Sequence, residues 1–115
     1  MRAVLLALFG VAAWATAASA HASLVSSDPA DGASVPPPAA LSLAFSESLS
    51  LTHLVLTDAA ALEIDTGFAV DSHPAPAFSV PLPALAPGTY RVEWRGLSDD
   101  GHPAEGAFAF TVQSP

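Results

Sequence analysis

The feature that most restricts the possible folds of this sequence is its density of secondary-structure breakers, with eleven prolines and seven glycines in 115 residues. Proline lacks a backbone N–H and glycine favours turns, so the apolar segments between them are short. Beyond residue 20, no segment sustains the 3.6-residue apolar period of an amphipathic helix. The sequence therefore predicts an all-β domain built from short strands.

The clearest predicted strand covers residues 89–95, directly after the Pro87-Gly88 turn signal. Alternation places Tyr90, Val92 and Trp94 on one face, which we expect to point into the core. Further strands are predicted at 41–45, 54–57, 68–70, 78–82 and 107–112. Six or seven such strands favour one small antiparallel β-sandwich or barrel with an Ig-like Greek-key arrangement.

Two proline positions and one alternating run add detail to this prediction. Pro81 would confine its strand to a sheet edge, because it cannot donate to a ladder. Pro36-Pro37-Pro38 removes consecutive backbone donors and predicts a surface loop. In the final strand, the alternation turns three residues inward, namely Phe108, Phe110 and Val112.

Residues 1–20 have the layout of a secretory signal peptide. Arg2 precedes an apolar run, and Ala18-Ser19-Ala20 supplies the small residues of a cleavage site. The alternative is a membrane anchor, but the run is shorter than the roughly 20 apolar residues that span a bilayer. No basic cluster follows it either. We therefore expect cleavage after Ala20, secretion of the processed chain, and a single working domain over residues 21–115.

The composition of the processed chain excludes several classes of function. Eleven acidic residues remain against Arg91 and Arg95, a formal charge of −9. Such a surface repels nucleic acid and anionic lipid but attracts cations. There is no cysteine, and the single methionine, Met1, leaves with the signal peptide. The soft sulfur ligands that favour Cu(I) are therefore missing.

His21 would become the first residue of the processed chain. It would then carry a free α-amino group and an imidazole, two nitrogens that can close a chelate ring on one metal ion. An amine with a pKa near 7.7–8.0 loses its proton readily to a strongly competing metal. Adjacent nitrogen donors in a plane suit Cu(II), which prefers tetragonal N and O ligation. The alternative is that histidine follows the cleavage site by chance.

Asp100-Gly101-His102 lies between the two last predicted strands. If the loop turns at Gly101, the carboxylate and the imidazole can point to one place. The tripeptide alone is weak, because Asp and Gly are common in turns, and the neighbouring Asp99 competes for the same role. Combined with His21, however, it would complete a set of three nitrogens and one oxygen. This combination requires the loop and the processed N-terminus to lie at the same end of the domain.

The sequence resembles the CopC family of periplasmic copper-binding proteins over nearly the whole processed chain. The resemblance is carried by several motifs in order, namely His21-Ala22 after the signal peptide, Ser26-Ser27-Asp28-Pro29-Ala30-Asp31-Gly32, Leu43-Ala44-Phe45-Ser46-Glu47, Leu85-Ala86-Pro87-Gly88-Thr89-Tyr90-Arg91-Val92-Glu93-Trp94, and Ser98-Asp99-Asp100-Gly101-His102-Pro103-Ala104-Glu105-Gly106.

The resemblance implies a seven-stranded, cupredoxin-like β-barrel or sandwich that holds one Cu(II) per chain. It implies that the ligands are His21, through amine and ring, together with Asp100 and His102. Glu47 would be a weak axial ligand or a nearby carboxylate, and an ordinary solvated carboxylate is an equal alternative. The resemblance also implies a CopD-type inner-membrane copper transporter as partner.

The chain departs from part of that family pattern. Some members carry a methionine-rich loop with a histidine that binds Cu(I), whereas residues 48–56 contain no methionine. His53 remains in this segment, but one imidazole is a poor soft-metal site. We therefore expect no Cu(I) site, and we interpret His53 as structural or exposed and His73 as an exposed loop residue.

Three functions are compatible with the sequence. The first is a monomeric, non-enzymatic Cu(II) carrier or buffer in copper homeostasis, resistance or import, without membrane insertion after processing. The second is a copper-dependent oxidase of the lytic polysaccharide monooxygenase type, which also uses an N-terminal histidine. Asp100 would occupy the position that oxygen needs in such an enzyme, and a 95-residue chain leaves little surface for a polysaccharide. The third is a β-sandwich module for adhesion or assembly, in which His21 is incidental.

Overall fold

The computed structural model describes residues 22–70 and 73–114, and none of these residues is helical. Seven strands follow one another along the chain, namely β1 (Leu24–Asp28), β2 (Ser34–Val35), β3 (Ala40–Thr57), β4 (Glu63–Ile64), β5 (Ala75–Pro81), β6 (Gly88–Ser98) and β7 (Pro103–Val112). The prediction of an all-β domain with about seven strands is confirmed. Within this part of the chain there is no helix long and apolar enough to cross a membrane.

The long strand β3 organises the sheet. Its first part, residues 40–45, pairs antiparallel with β1 and β5, whereas residues 49–57 pair antiparallel with β6. The register shifts at the bend of β3 (residues 45–49), where the strand passes from one set of partners to the other. The main path of the sheet is β1-β3-β6-β7-β2, with β4 and β5 also on β3. A single strand therefore pairs with four of the other six strands.

β3 joins the two strands predicted at 41–45 and 54–57. The intervening Ser-Glu-Ser-Leu-Ser-Leu segment has no proline or glycine, and its Leu49 and Leu51 are fully buried. Burial of these leucines stabilises the extended chain through the segment between the two predicted strands, although the ladder partners change there.

The core follows the predicted alternation. Tyr90, Val92 and Trp94 of β6 are buried, and β7 buries three further residues, Phe108, Phe110 and Val112. The ring of Trp94 packs edge-on against Phe45, with 4.9 Å between the ring centroids. Such edge-to-face pairs add packing energy beyond the area they bury. This aromatic pair packs β6 against β3.

The predicted strand at 68–70 is wrong. The backbone N–H of Gly67 donates to the Asp65 side chain at 2.8 Å, and that of Phe68 donates to Thr66 Oγ1 at 3.2 Å. These local bonds use the amides that a ladder would need, and Gly67 adopts a left-handed φ of 73°. The short strand β4 forms earlier in the chain instead, opposite the end of β3.

The predicted antiparallel arrangement needs one correction, because β2 pairs parallel with β7. The N–H of Thr111 donates to the Ala33 carbonyl at 2.8 Å, and the N–H of Gln113 donates to the Val35 carbonyl at 2.8 Å. The chain reaches this edge of β7 directly from β1 and then leaves through the proline loop. This loop is largely exposed, as predicted, and Pro81 is the last residue of β5, whose described partner is β3 alone.

Gly96 allows β3 and β6 to approach closely beside the bend. A Cβ at this position would lie 2.8 Å from the backbone oxygen of Ser50 and against the side chain of Leu49. We expect Gly96→Ala to lower the free energy of unfolding by about 1–3 kcal/mol, because backbone cannot yield as a flexible side chain can. Denaturant unfolding would measure this loss, with Glu93→Ala on the exposed face of the same strand as control. Equal stability of the two variants would contradict the close approach.

Candidate metal centre

A tight turn joins β6 to β7 and carries two of the four predicted metal ligands. The last paired residues are Leu97 and Pro103. Inside the turn, the N–H of Gly101 donates to the Ser98 carbonyl at 2.9 Å, and the N–H of Ser98 donates to the His102 carbonyl at 3.0 Å. Gly101 has a φ of 81°, a conformation that glycine adopts at little cost. The turn at Gly101 that sequence analysis required is therefore present.

The turn brings the Asp100 carboxylate and the His102 imidazole together. His102 Nδ1 lies 2.9 Å from Asp100 Oδ2, and both side chains are about half exposed. Two ligand atoms that each lie about 2.0–2.1 Å from one divalent metal ion, with a right angle between the two bonds, are about 2.8–3.0 Å from each other. In this structure the contact is a hydrogen bond from the imidazole to the carboxylate, and its length is also compatible with two neighbouring ligands of one metal ion.

Ser98 holds the other oxygen of this carboxylate. Its hydroxyl donates to Asp100 Oδ1. That bond, followed by the contact with the His102 side chain, lowers the pKa of Asp100 from 3.8 to about 2. Asp100 is thus an anion at any pH near neutrality, as a metal-binding carboxylate must be.

The chain enters the domain at the same end. The N–H of Ser46 donates to the Ser23 carbonyl at 2.8 Å, and the N–H of Ser23 donates to Ser46 Oγ at 2.9 Å. Ser46 precedes Leu49 by three residues, about 10 Å along a strand, and Leu49 pairs with Ser98. Ala22 is buried in the core, so the start of the described chain is fixed beside the bend of β3.

His21 lies outside the described residues, so its role stays a prediction. Glu47 is exposed at the bend of β3, between Ser46 and the Leu49–Ser98 pair. Over residues 22–70 and 73–114, no three His, Cys, Asp or Glu side chains are grouped closely enough to hold a metal ion. The structure thus brings together Asp100 and His102, whereas a contact of Glu47 with this pair stays a prediction.

The other histidines lie elsewhere in the fold. His53 is half-buried in β3 opposite Arg95, at a register shift of the β3–β6 ladder. His73 is exposed just before β5. Sequence analysis named Ser98 within a family motif but gave it no role, whereas the structure places it in direct contact with Asp100. The only signal for it was a serine two residues before an aspartate, a pattern too frequent in turns to be informative.

Comparisons with known proteins agree with this architecture. Residues 24–113 match the CopC domain family. Copper resistance protein C of Pseudomonas syringae pv. tomato is 36% identical over 105 residues, covering 84% of this chain and 83% of the relative. Copper resistance protein C of Escherichia coli is 34% identical over 109 residues, covering 86% of each chain.

Two solved structures share the fold. The crystal structure of PcoC, a methionine-rich copper resistance protein from Escherichia coli, superposes with a TM-score of 0.70 at 33% identity, covering 82% of this chain and all of PcoC. CopC from Methylosinus trichosporium OB3b superposes with a TM-score of 0.70 at 26% identity, covering 81% of this chain and 94% of that protein. The family match covers most of this chain, and the relatives are more than 30% identical to it over most of their length. The chain therefore belongs to the CopC family.

Proposed function

We propose that the processed chain is a periplasmic carrier or buffer that holds one Cu(II) ion and serves copper resistance or homeostasis. The observation that carries this proposal is the 2.9 Å approach of His102 Nδ1 and Asp100 Oδ2, at the end of the domain where the chain enters. The relatives named copper resistance protein C support the copper-resistance role.

In this proposal, His21 supplies the remaining two donors once the signal peptide has been removed after Ala20. Its free amine and its imidazole close a chelate ring, and the pair from the turn completes a set of three nitrogens and one oxygen. Such a set suits Cu(II), the divalent ion with the highest affinity in the first-row series. Glu47 at the bend of β3 is proposed as an axial or nearby carboxylate.

The charge distribution supports a cation as cargo. Asp99 and Asp100 lie in the turn and Glu47 at the neighbouring bend, whereas Arg91 and Arg95 lie on β6 beside Glu93 and Glu105. The turn and the neighbouring bend therefore carry acidic side chains and no arginine. An acidic surface of this kind raises the local concentration of cations.

We further propose a monomeric chain that delivers copper to a CopD-type membrane transporter.

The two adjacent aspartates provide the test of the ligand set. We expect Asp100→Ala to weaken Cu(II) binding about 100-fold, a change of about 3 kcal/mol, because an equatorial oxygen is lost. Asp99→Ala removes the same charge one residue away and is expected to bind Cu(II) as the unmodified protein does. Competition with a chromophoric chelator at pH 7.5 would measure both affinities. Equal losses in the two variants would indicate a general charge effect and would contradict ligation by Asp100.

A further inference from the structure

Ser98 differs from every other serine in the described part of the chain, because it alone is buried, with 6% of its surface exposed. It is the last residue of β6 and pairs with Leu49, which is fully buried at the bend of β3. The serine is therefore fixed by the core on one side and faces the turn on the other.

Both polar donors of Ser98, its backbone N–H and its hydroxyl, are directed at the two turn residues assigned to copper. Its backbone N–H donates to the His102 carbonyl at 3.0 Å. Its hydroxyl donates to Asp100 Oδ1 and also lies 3.2 Å from the His102 carbonyl oxygen. The backbone N–H of His102 approaches the same Asp100 oxygen at 3.4 Å. Oδ1 is thus held inside the turn, whereas Oδ2 lies beside His102 Nδ1.

We propose that Ser98 is a positioning residue for copper, because its hydroxyl holds Asp100 Oδ1 and so presents Oδ2 as the single oxygen offered to the ion. This inference rests on the proposed function. It assigns to Asp100 a one-oxygen mode of binding that is set by the protein before the metal arrives.

The physical consequence is a loss of rotational freedom of the carboxylate. Without the hydroxyl, Asp100 Oδ1 keeps only the 3.4 Å contact with the His102 N–H, so the carboxylate turns more freely about its last side-chain bond. Binding must then order a group that Ser98 otherwise keeps in place. Hydrogen-bond partners of metal ligands typically contribute 10–100-fold to metal affinity by orienting them.

The first experiment compares the unmodified processed protein with Ser98→Ala in Cu(II) competition titrations and by electron paramagnetic resonance of the copper-loaded form. We expect Ser98→Ala to bind about 10-fold more weakly and to shift the Cu(II) hyperfine coupling. An affinity within twofold of the unmodified protein, together with an unchanged spectrum, would overturn the proposal.

A matched pair separates the hydroxyl from the packing of a buried position. Ser98→Thr and Ser98→Val have nearly the same volume, but only threonine keeps the hydroxyl. We expect Ser98→Thr to restore the affinity and spectrum and Ser98→Val to resemble Ser98→Ala. Equal behaviour of the threonine and valine variants would overturn the proposal. This comparison stays decisive if both are less stable, because they share any steric disturbance.

Two further variants control for stability and for the proposed function itself. Val112→Ala truncates a core residue at the far end of β7 and is expected to lower the melting temperature without changing Cu(II) affinity. If Val112→Ala lost as much Cu(II) affinity as Ser98→Ala, the effect of Ser98→Ala would come from lower global stability, and the proposal would be overturned. If Asp100→Ala binds Cu(II) as tightly as the unmodified protein, the ligand set fails, and the role of Ser98 fails with it. If only Ser98→Ala is neutral, the ligand set stands.

Discussion

One extra alanine in front of His21 is expected to weaken Cu(II) binding by the processed protein about 1,000-fold, the factor that about 4 kcal/mol represents. The reason is that the extension converts the His21 amine into an amide. A free amine gives up its proton to a metal near neutral pH, whereas an amide N–H does not ionise in this range. The extended chain would keep the imidazole but lose the chelate ring.

The extension experiment has a matched control at the other end of the chain. The same alanine placed after Pro115 changes length and composition equally, and we expect it to leave the affinity unchanged. Mass determination of the exported protein would first establish that His21 is the initial residue. Isothermal or chelator-competition titrations would then compare the three forms. Equal affinity of the N-terminally extended and processed proteins would contradict ligation by the amine.

The apparent affinity for Cu(II) is expected to fall by about 100-fold or more between pH 7.5 and pH 5.0, because an amine with a pKa near 7.7–8.0 and both imidazoles must be deprotonated to bind the ion. Protons compete with copper for each nitrogen, so the affinity rises with pH and falls with acidification. The amine alone is largely protonated throughout this range, so protons compete for it at every pH tested.

Asp100 is expected to contribute nothing to this fall. Ser98 and His102 lower the pKa of its carboxyl to about 2, so it stays ionised from pH 7.5 to pH 5.0. A site built mainly from carboxylates would therefore bind almost equally across this window and weaken only at lower pH. Competition titrations at half-unit pH intervals would distinguish the two cases. A flat affinity down to pH 5.0 would contradict nitrogen ligation.

The parts of the fold that sequence analysis identified correctly are those where burial alternates along a strand. β6 is the best example, because Tyr90, Val92 and Trp94 alternate with charged residues and a Pro-Gly turn marks its start. β3 was divided in two, because its bend lacks a turn signal and because the burial of Leu49 and Leu51 depends on partners far along the chain. The strand expected at 68–70 was lost to local side-chain bonds from Asp65 and Thr66.

The candidate site was predictable only in part, for a related reason. The spacing of Asp100 and His102 around Gly101 is local, and a glycine turn converts it directly into a 2.9 Å approach. The contribution of Ser98 depends on burial by Leu49, which belongs to a strand almost 50 residues earlier, and local sequence does not reveal it. The proximity of Ser23 to the turn likewise arises through β3, which pairs with β1 on one side of the bend and with β6 on the other.

The most direct test of the proposed site is to count the imidazoles bound to copper. Pulsed electron paramagnetic resonance of the Cu(II)-loaded processed protein should show two coordinated imidazoles, and His102→Ala should leave one. His53→Ala and His73→Ala should each leave two. A single imidazole in the unmodified protein, or two that persist in His102→Ala, would contradict a copper ion held between the processed N-terminus and the turn that joins β6 to β7.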